Sequence, residues 1–218
     1  MEQMQILLAI LVLLPFVSAL LLALCGSDRM RRLIVYGSAG VLMISAVAFA
    51  VCFFSGENLQ LRFLQSGGII DHTMLALEAG FAVLITVLSI KYRRYYVAVL
   101  SIVQTVLTFV YELGGYKPAV QPYNLFTDQL TVIMVLIIAV VGTLITVYAV
   151  GYMRDYHNHH KEYTDRRRFF FAMLYVFLGA MFGLVLSNSL LWLYFFWEIT
   201  SLVSFLLIGY TRTKEAVQ

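Results

Sequence analysis

A single carboxylate, Glu198, lies near the middle of the apolar segment Leu190 to Tyr210, in the run Trp197-Glu198-Ile199-Thr200-Ser201-Leu202. An acidic side chain at mid-membrane depth costs roughly 2.5 to 3.5 kcal/mol on insertion scales, so its default reading is a role in ion or proton movement. A carboxyl group kept from water favours its neutral form, which suits it to take up and release a proton. On a helix, Tyr194 lies one turn before Glu198 and Ser201 one turn after. The hydroxyls of Thr200, Ser201 and Ser204 are candidates to hydrogen-bond it or to hold water beside it, and Trp197 adjoins it. The competing structural reading is a neutral glutamic acid that glues helices together.

Other polar groups carry weaker signals. Glu78 lies about one turn inside the outer end of an apolar segment, where it could serve a proton path or simply reach the interface. Asp128, in Phe126-Thr127-Asp128-Gln129, opens another segment, and a helix-capping role suffices for it. His157, His159 and His160, with Asp155 and Glu162, resemble a metal cluster in composition. Helical spacing puts Asp155 and His159 on one face and His157 and His160 on another, so no metal site is expected and the stretch reads as a solvated loop. P-loop, dinucleotide-fold, CxxC and nucleophile-elbow patterns are missing, so no cofactor is expected in this chain.

The elements that must hold these groups are hydrophobic. Of 218 residues, 61% are hydrophobic and only 12% charged, about half the charge of a soluble domain. The mean hydropathy is +0.86. The composition excludes a soluble enzyme or a nucleic-acid binder and predicts an all-helical multi-pass membrane protein. Seven spans fit the apolar runs: Met4–Cys25, Leu33–Phe54, Met74–Ile90, Tyr95–Tyr111, Phe126–Gly151, Phe169–Ser187 and Leu190–Tyr210. The third and fourth are the shortest and read alternatively as a hairpin that does not fully cross. The first lacks a basic start and a clear cleavage site, so it reads as a retained span and not a signal peptide. Antiparallel spans would hold Cys25 and Cys52 about 30 Å apart, out of disulfide reach.

Basic residues alternate between loops. Thirteen of the fifteen Lys and Arg fall after spans one, three, five and seven; only Arg62 and Lys117 fall in the alternate loops. This bias predicts an external N-terminus, a cytoplasmic C-terminus and a location in the cytoplasmic (inner) membrane. The outer loops Ser55–Thr73 and Glu112–Leu125 are the longer ones, and Gly114, Gly115, Pro118 and Pro122 mark the second as turn-rich. Gly179 and Gly183 form a small-xxx-small pattern that permits close helix packing.

Three stretches carry a resemblance to a known family. They are Thr127-Asp128-Gln129-Leu130-Thr131 with Tyr148-Ala149-Val150-Gly151-Tyr152-Met153-Arg154; Arg168-Phe169-Phe170; and Ser187-Asn188-Ser189-Leu190-Leu191 with Trp197-Glu198 and Ser204-Phe205-Leu206-Leu207-Ile208-Gly209-Tyr210. From about residue 127 to 210 the chain resembles the antiporter-like membrane subunits of respiratory complex I, energy-converting hydrogenases and multisubunit cation/proton antiporters, nearest to the complex I chain L (subunit 5) branch. The resemblance implies that Glu198 is the proton-translocating carboxylate. It also implies a partner lysine on a later helix, which would lie beyond Gln218, and the first half of a core of two inverted five-helix repeats. Two helices usually precede the Asp128-bearing span in such chains, whereas four are expected here. The sequence therefore divides into an N-terminal four-helix region, 1–126, and antiporter-like core helices, 127–218.

The expected function is translocation of protons or sodium ions, coupled to electron transfer in a larger NADH–quinone oxidoreductase or membrane hydrogenase. Flavin and iron–sulfur clusters would reside in partner subunits. Interiors of the predicted spans contain no Lys, Arg or His to pair with Glu198, which also points to partner membrane subunits. The alternatives are a subunit of a gradient-driven cation/proton antiporter and a structural or assembly subunit.

Overall fold

A computed structural model of the chain describes residues 2–56, 61–65, 69–91, 93–113, 123–160 and 164–211, the side chains of 2, 61–65, 69–71, 112 and 113 apart. Lys117, Lys161, Glu162, Arg212, Lys214 and the Gly/Pro turn residues 114–122 lie outside the described residues, as does the side chain of Arg62.

The helices are α1 (Glu2–Leu24), α2 (Asp28–Phe54), α3 (Ile69–Lys91), α4 (Tyr95–Leu113), α5 (Gln129–Ile137), α6 (Thr143–His159), α7 (Arg167–Leu186) and α8 (Leu190–Ile208). A π turn, Ile138–Gly142, joins α5 to α6 as one long rod. Among the described residues, six helical segments are long and apolar enough to cross a membrane, counting Gln129–His159 as one. The seventh, α4, has 19 residues, which span about 28 Å against a hydrocarbon core of about 30 Å. The fold is an all-α multi-pass membrane fold. Both members of the short pair are longer than the apolar runs predicted, because polar residues at their ends continue the helix.

Two strands were not anticipated. β1 (Leu61–Gln65) pairs antiparallel with β2 (Tyr123–Thr127), with Leu61 opposite Thr127 and Gln65 opposite Tyr123. Phe126 and Thr127, assigned by hydropathy to span five, therefore belong to β2. Span five begins after Asp128, whose carboxylate accepts from the Thr131 backbone N–H at 2.8 Å and caps α5. That donor and the Thr131 hydroxyl hold the Asp128 carboxyl below its ordinary value. Because residues 66–122 leave one strand and return to its partner, the α3–α4 pair is an excursion from a two-stranded hairpin. Its turn includes Arg93 at φ 57°.

The ends of the helices gather into two clusters. At one end, β2 meets the α7–α8 turn: Leu125 bridges Ser187, Asn188 N–H donates to the Asn124 carbonyl, and Asn188 Nδ2 donates to the Tyr123 carbonyl at 2.9 Å. At the other, Arg167 pairs with Asp165 at 2.7 Å and approaches Asp28 at 3.6 Å. The hydrogen-bonded Arg167 guanidinium holds the Asp165 carboxyl down at about 2. The stretch expected to be a solvated loop is helical as far as His159, since α6 runs on to that residue. The His157 ring, only 10% exposed, sits 2.7 Å from the Tyr210 hydroxyl. Arg166 reaches the Tyr210 carbonyl at the end of α8, a cation at a helix C-terminus.

Between these ends, α1, α2, α5–α6 and α7 enclose the main core around Leu11, Leu42, Phe49, Val135 and Phe182. Tyr175, fully buried on α7, donates to the Val35 carbonyl and lies 2.7 Å from the Ser38 hydroxyl of α2. The expected close packing at the glycines is present. A Cβ on Gly179 would come 2.9 Å from the Phe16 ring of α1, and one on Gly183 would overlap the Phe196 ring of α8. Gly183→Ala should therefore destabilise the fold by about 1–3 kcal/mol through overpacking. Thermal unfolding of the solubilised protein would show a lowered midpoint, partly restored by Phe196→Leu; an unchanged midpoint for Gly183→Ala would contradict this packing.

Candidate functional site

The site is set by where α8 starts and which way it is turned. Ser189 caps α8 by accepting from the Trp192 N–H, and Asn188 just before it is tied to β2. Trp192, Phe195, Phe196, Ile199 and Val203 then form the buried stripe against Ala180 of α7. The 3.6-residue period leaves Tyr194 and Glu198 together on an adjoining, half-buried face.

That face is covered by the α3–α4 excursion. Glu198 Oε1 accepts from Tyr194 Oη at 2.5 Å and from Gln104 Nε2 of α4 at 2.9 Å. Its second oxygen, Oε2, is buried with no hydrogen-bond partner among the described residues. On α3, Met74 and Phe81 pack against the α8 cluster, and the Phe81 and Phe195 rings lie 6.1 Å apart. Glu78 falls between Met74 and Phe81 on the same helical face and is 3% exposed, so it is a buried group and not one that reaches the interface. Tyr194 interacts electrostatically with both Glu78 and Glu198. A cavity of about 560 Å³ opens between α4 and α8, with Leu107, Tyr111, Leu190 and Tyr194 in its lining.

The structure thus brings together Glu198 and Glu78 of the predicted residues and leaves the others apart. Thr200 and Ser201 donate to the Trp197 carbonyl, and Ser204 to that of Thr200. These hydroxyls bond their own helix and not Glu198, because a threonine or serine on a helix can reach the preceding turn at no cost in desolvation. Trp197 is 59% exposed on the outer face of α8. Asp128 acts as the cap of α5. Among the described residues, no group of three His, Cys, Asp or Glu is placed to hold a metal ion. Tyr194 was visible in the sequence at four residues before Glu198. Gln104 was missed; its signal was a lone amide amid the apolar residues of α4.

Chemically, a carboxyl group with one oxygen held by two donors and the other open can bind a proton or release it without leaving its place. Gln104→Leu would remove the donor that ties α4 to α8. In a double-mutant cycle with Glu198→Leu, which removes the acceptor, the two changes on solubilised protein should be coupled by about 0.6–1.7 kcal/mol of unfolding stability. Additive losses would show that this bond ties nothing.

Comparison with known proteins gives partial matches. Residues 121–170 match the family described as NADH-ubiquinone oxidoreductase (complex I), chain 5 N-terminus. A Na(+)/H(+) antiporter subunit A1 of Staphylococcus haemolyticus (strain JCSC1435) is 34% identical over 122 residues, which cover 56% of this chain and 14% of that protein. A Na(+)/H(+) antiporter subunit A1 of Staphylococcus aureus (strain JH9) is 28% identical over 161 residues, covering 66% and 19%. The chain thus spans less than a fifth of the length of these relatives. Over residues 121–170 the chain is thus similar to the N-terminal part of complex I chain 5, and over a longer stretch to part of the Na(+)/H(+) antiporter subunit A1 proteins.

Proposed function

We propose that this chain translocates protons across the membrane as one subunit of a larger complex, with Glu198 as the group that is loaded and unloaded. The observation that carries the reading is a half-buried carboxyl within a membrane-spanning helix, donated to by Tyr194 and Gln104 and with one oxygen free to take a proton. No ion pair to Glu198 exists among the described residues, so its charge, when present, is balanced from elsewhere: by a proton, or by a cationic group on another segment or subunit.

Complex I kinship favours coupling to electron transfer, as in an NADH–quinone oxidoreductase or membrane hydrogenase. Flavin and iron–sulfur clusters would then sit in partner subunits. The named relatives favour a second reading, a subunit of a cation/proton antiporter driven by an existing gradient, with sodium as the other ion. Both use the same carboxylate. In either case the basic cluster around Arg154, Arg166, Arg167 and Arg168 faces the cytoplasm of a cytoplasmic-membrane protein, and the paired strands face outside.

Glu198→Gln keeps the shape and the hydrogen-bond acceptor oxygen but cannot titrate. In vesicles carrying the native complex, it should lower proton transport roughly tenfold or more, with assembly retained, and Glu198→Asp should be milder. Transport unchanged per assembled complex would remove Glu198 from the path. Extraction in mild detergent separates the two couplings: comigrating flavin or iron–sulfur subunits support the redox-driven complex, and a particle of membrane subunits without redox centres supports the antiporter.

A further inference from the structure

The α3–α4 excursion interrupts a two-stranded hairpin and is packed through α3 onto α8, the helix that carries Glu198. It brings an acid of its own to that contact. Glu78 is 3% exposed, flanked on its face by Met74 and Phe81, which pack on the α8 cluster. The Tyr194 hydroxyl donates to Glu198 at 2.5 Å on the helix against which the Glu78 face of α3 packs. Two carboxyl groups kept largely from water, Glu78 buried and Glu198 half-buried, do not both hold a full negative charge cheaply when they lie close together in low dielectric.

From this juxtaposition we infer that Glu78 and Glu198 form one proton-sharing pair joined through the Tyr194 hydroxyl, the excursion helices supplying the second member. The inference rests on the proposed role of Glu198. In the transfer step, the Tyr194 oxygen accepts the proton of a neutral Glu78 as its own proton passes to the Glu198 carboxylate. One O–H bond breaks and one forms at the tyrosine, the proton moves from carboxyl to carboxyl, and no electrons are exchanged. The inserted helices thereby become part of the transport machinery.

The test uses vesicles containing the native complex, with proton transport normalised to assembled complex. Glu78→Gln should lower the rate roughly tenfold, and Glu78→Asp should restore most of it. Tyr194→Phe, which keeps the ring and removes the shared hydroxyl, should also slow transport. Glu78→Gln combined with Glu198→Gln should be no slower than Glu198→Gln alone, since both act in one unit. Wild-type rates in Glu78→Gln, or equal loss in Glu78→Asp, overturn the pair. If Glu78→Gln prevents assembly, Tyr194→Phe decides: a slowed rate supports the link and a wild-type rate overturns it. A failure of the Glu198 reading is distinct, because there Glu198→Gln itself transports normally.

Discussion

The structure depends on how one carboxyl group is accommodated within an apolar helix. A membrane interior gives no water to satisfy Glu198, so its oxygens must find donors in the protein or its proton must stay on. Tyr194 meets part of that need from the preceding turn of α8, and Gln104 meets another part from α4. Both bonds go to the same oxygen. The site is therefore anchored and incomplete together, a state suited to a group that must bind a proton and give it up. Had Thr200, Ser201 and Ser204 turned their hydroxyls to Glu198, the carboxyl would be more fully solvated by protein; they bond their own backbone instead.

Everything that aims α8 serves this placement. Asn188 ties the start of the helix to β2, and Ser189 caps it. Gly183 lets the Phe196 ring close on α7. Gly209 ends the helix, and the short turn after it brings Tyr210 to His157 and Arg166. The residues that carry the family resemblance thus have local physical reasons: a staple, a cap, a titratable group and a pinned end.

Much of this was legible in the sequence because membrane helices announce themselves by length and hydropathy. Spans one, two, six and seven match helices to within a few residues, apart from the basic start of α2. Spans three and four are likewise both present, as α3 and α4. Three features were hidden. The β1–β2 pairing joins residues more than 55 apart and rests on backbone hydrogen bonds, which hydropathy does not register; Phe126 and Thr127 were consequently drawn into a span. The extension of α6 to His159 was masked by polarity, since its last two turns project beyond the apolar band and are held by contacts such as His157 with Tyr210. Gln104 was hidden because a single amide in an apolar run acquires meaning only when the tertiary structure sets a carboxylate opposite it.

The most direct test of the account is infrared difference spectroscopy of the native complex at rest and under turnover, with Glu198→Gln identifying the Glu198 carboxyl band. If Glu198 is loaded and unloaded, this band changes between its protonated and ionised forms during turnover. A Glu198 band that stays the same in both states, while protons are being moved, would contradict it and leave Glu198 as a structural hydrogen-bonding group.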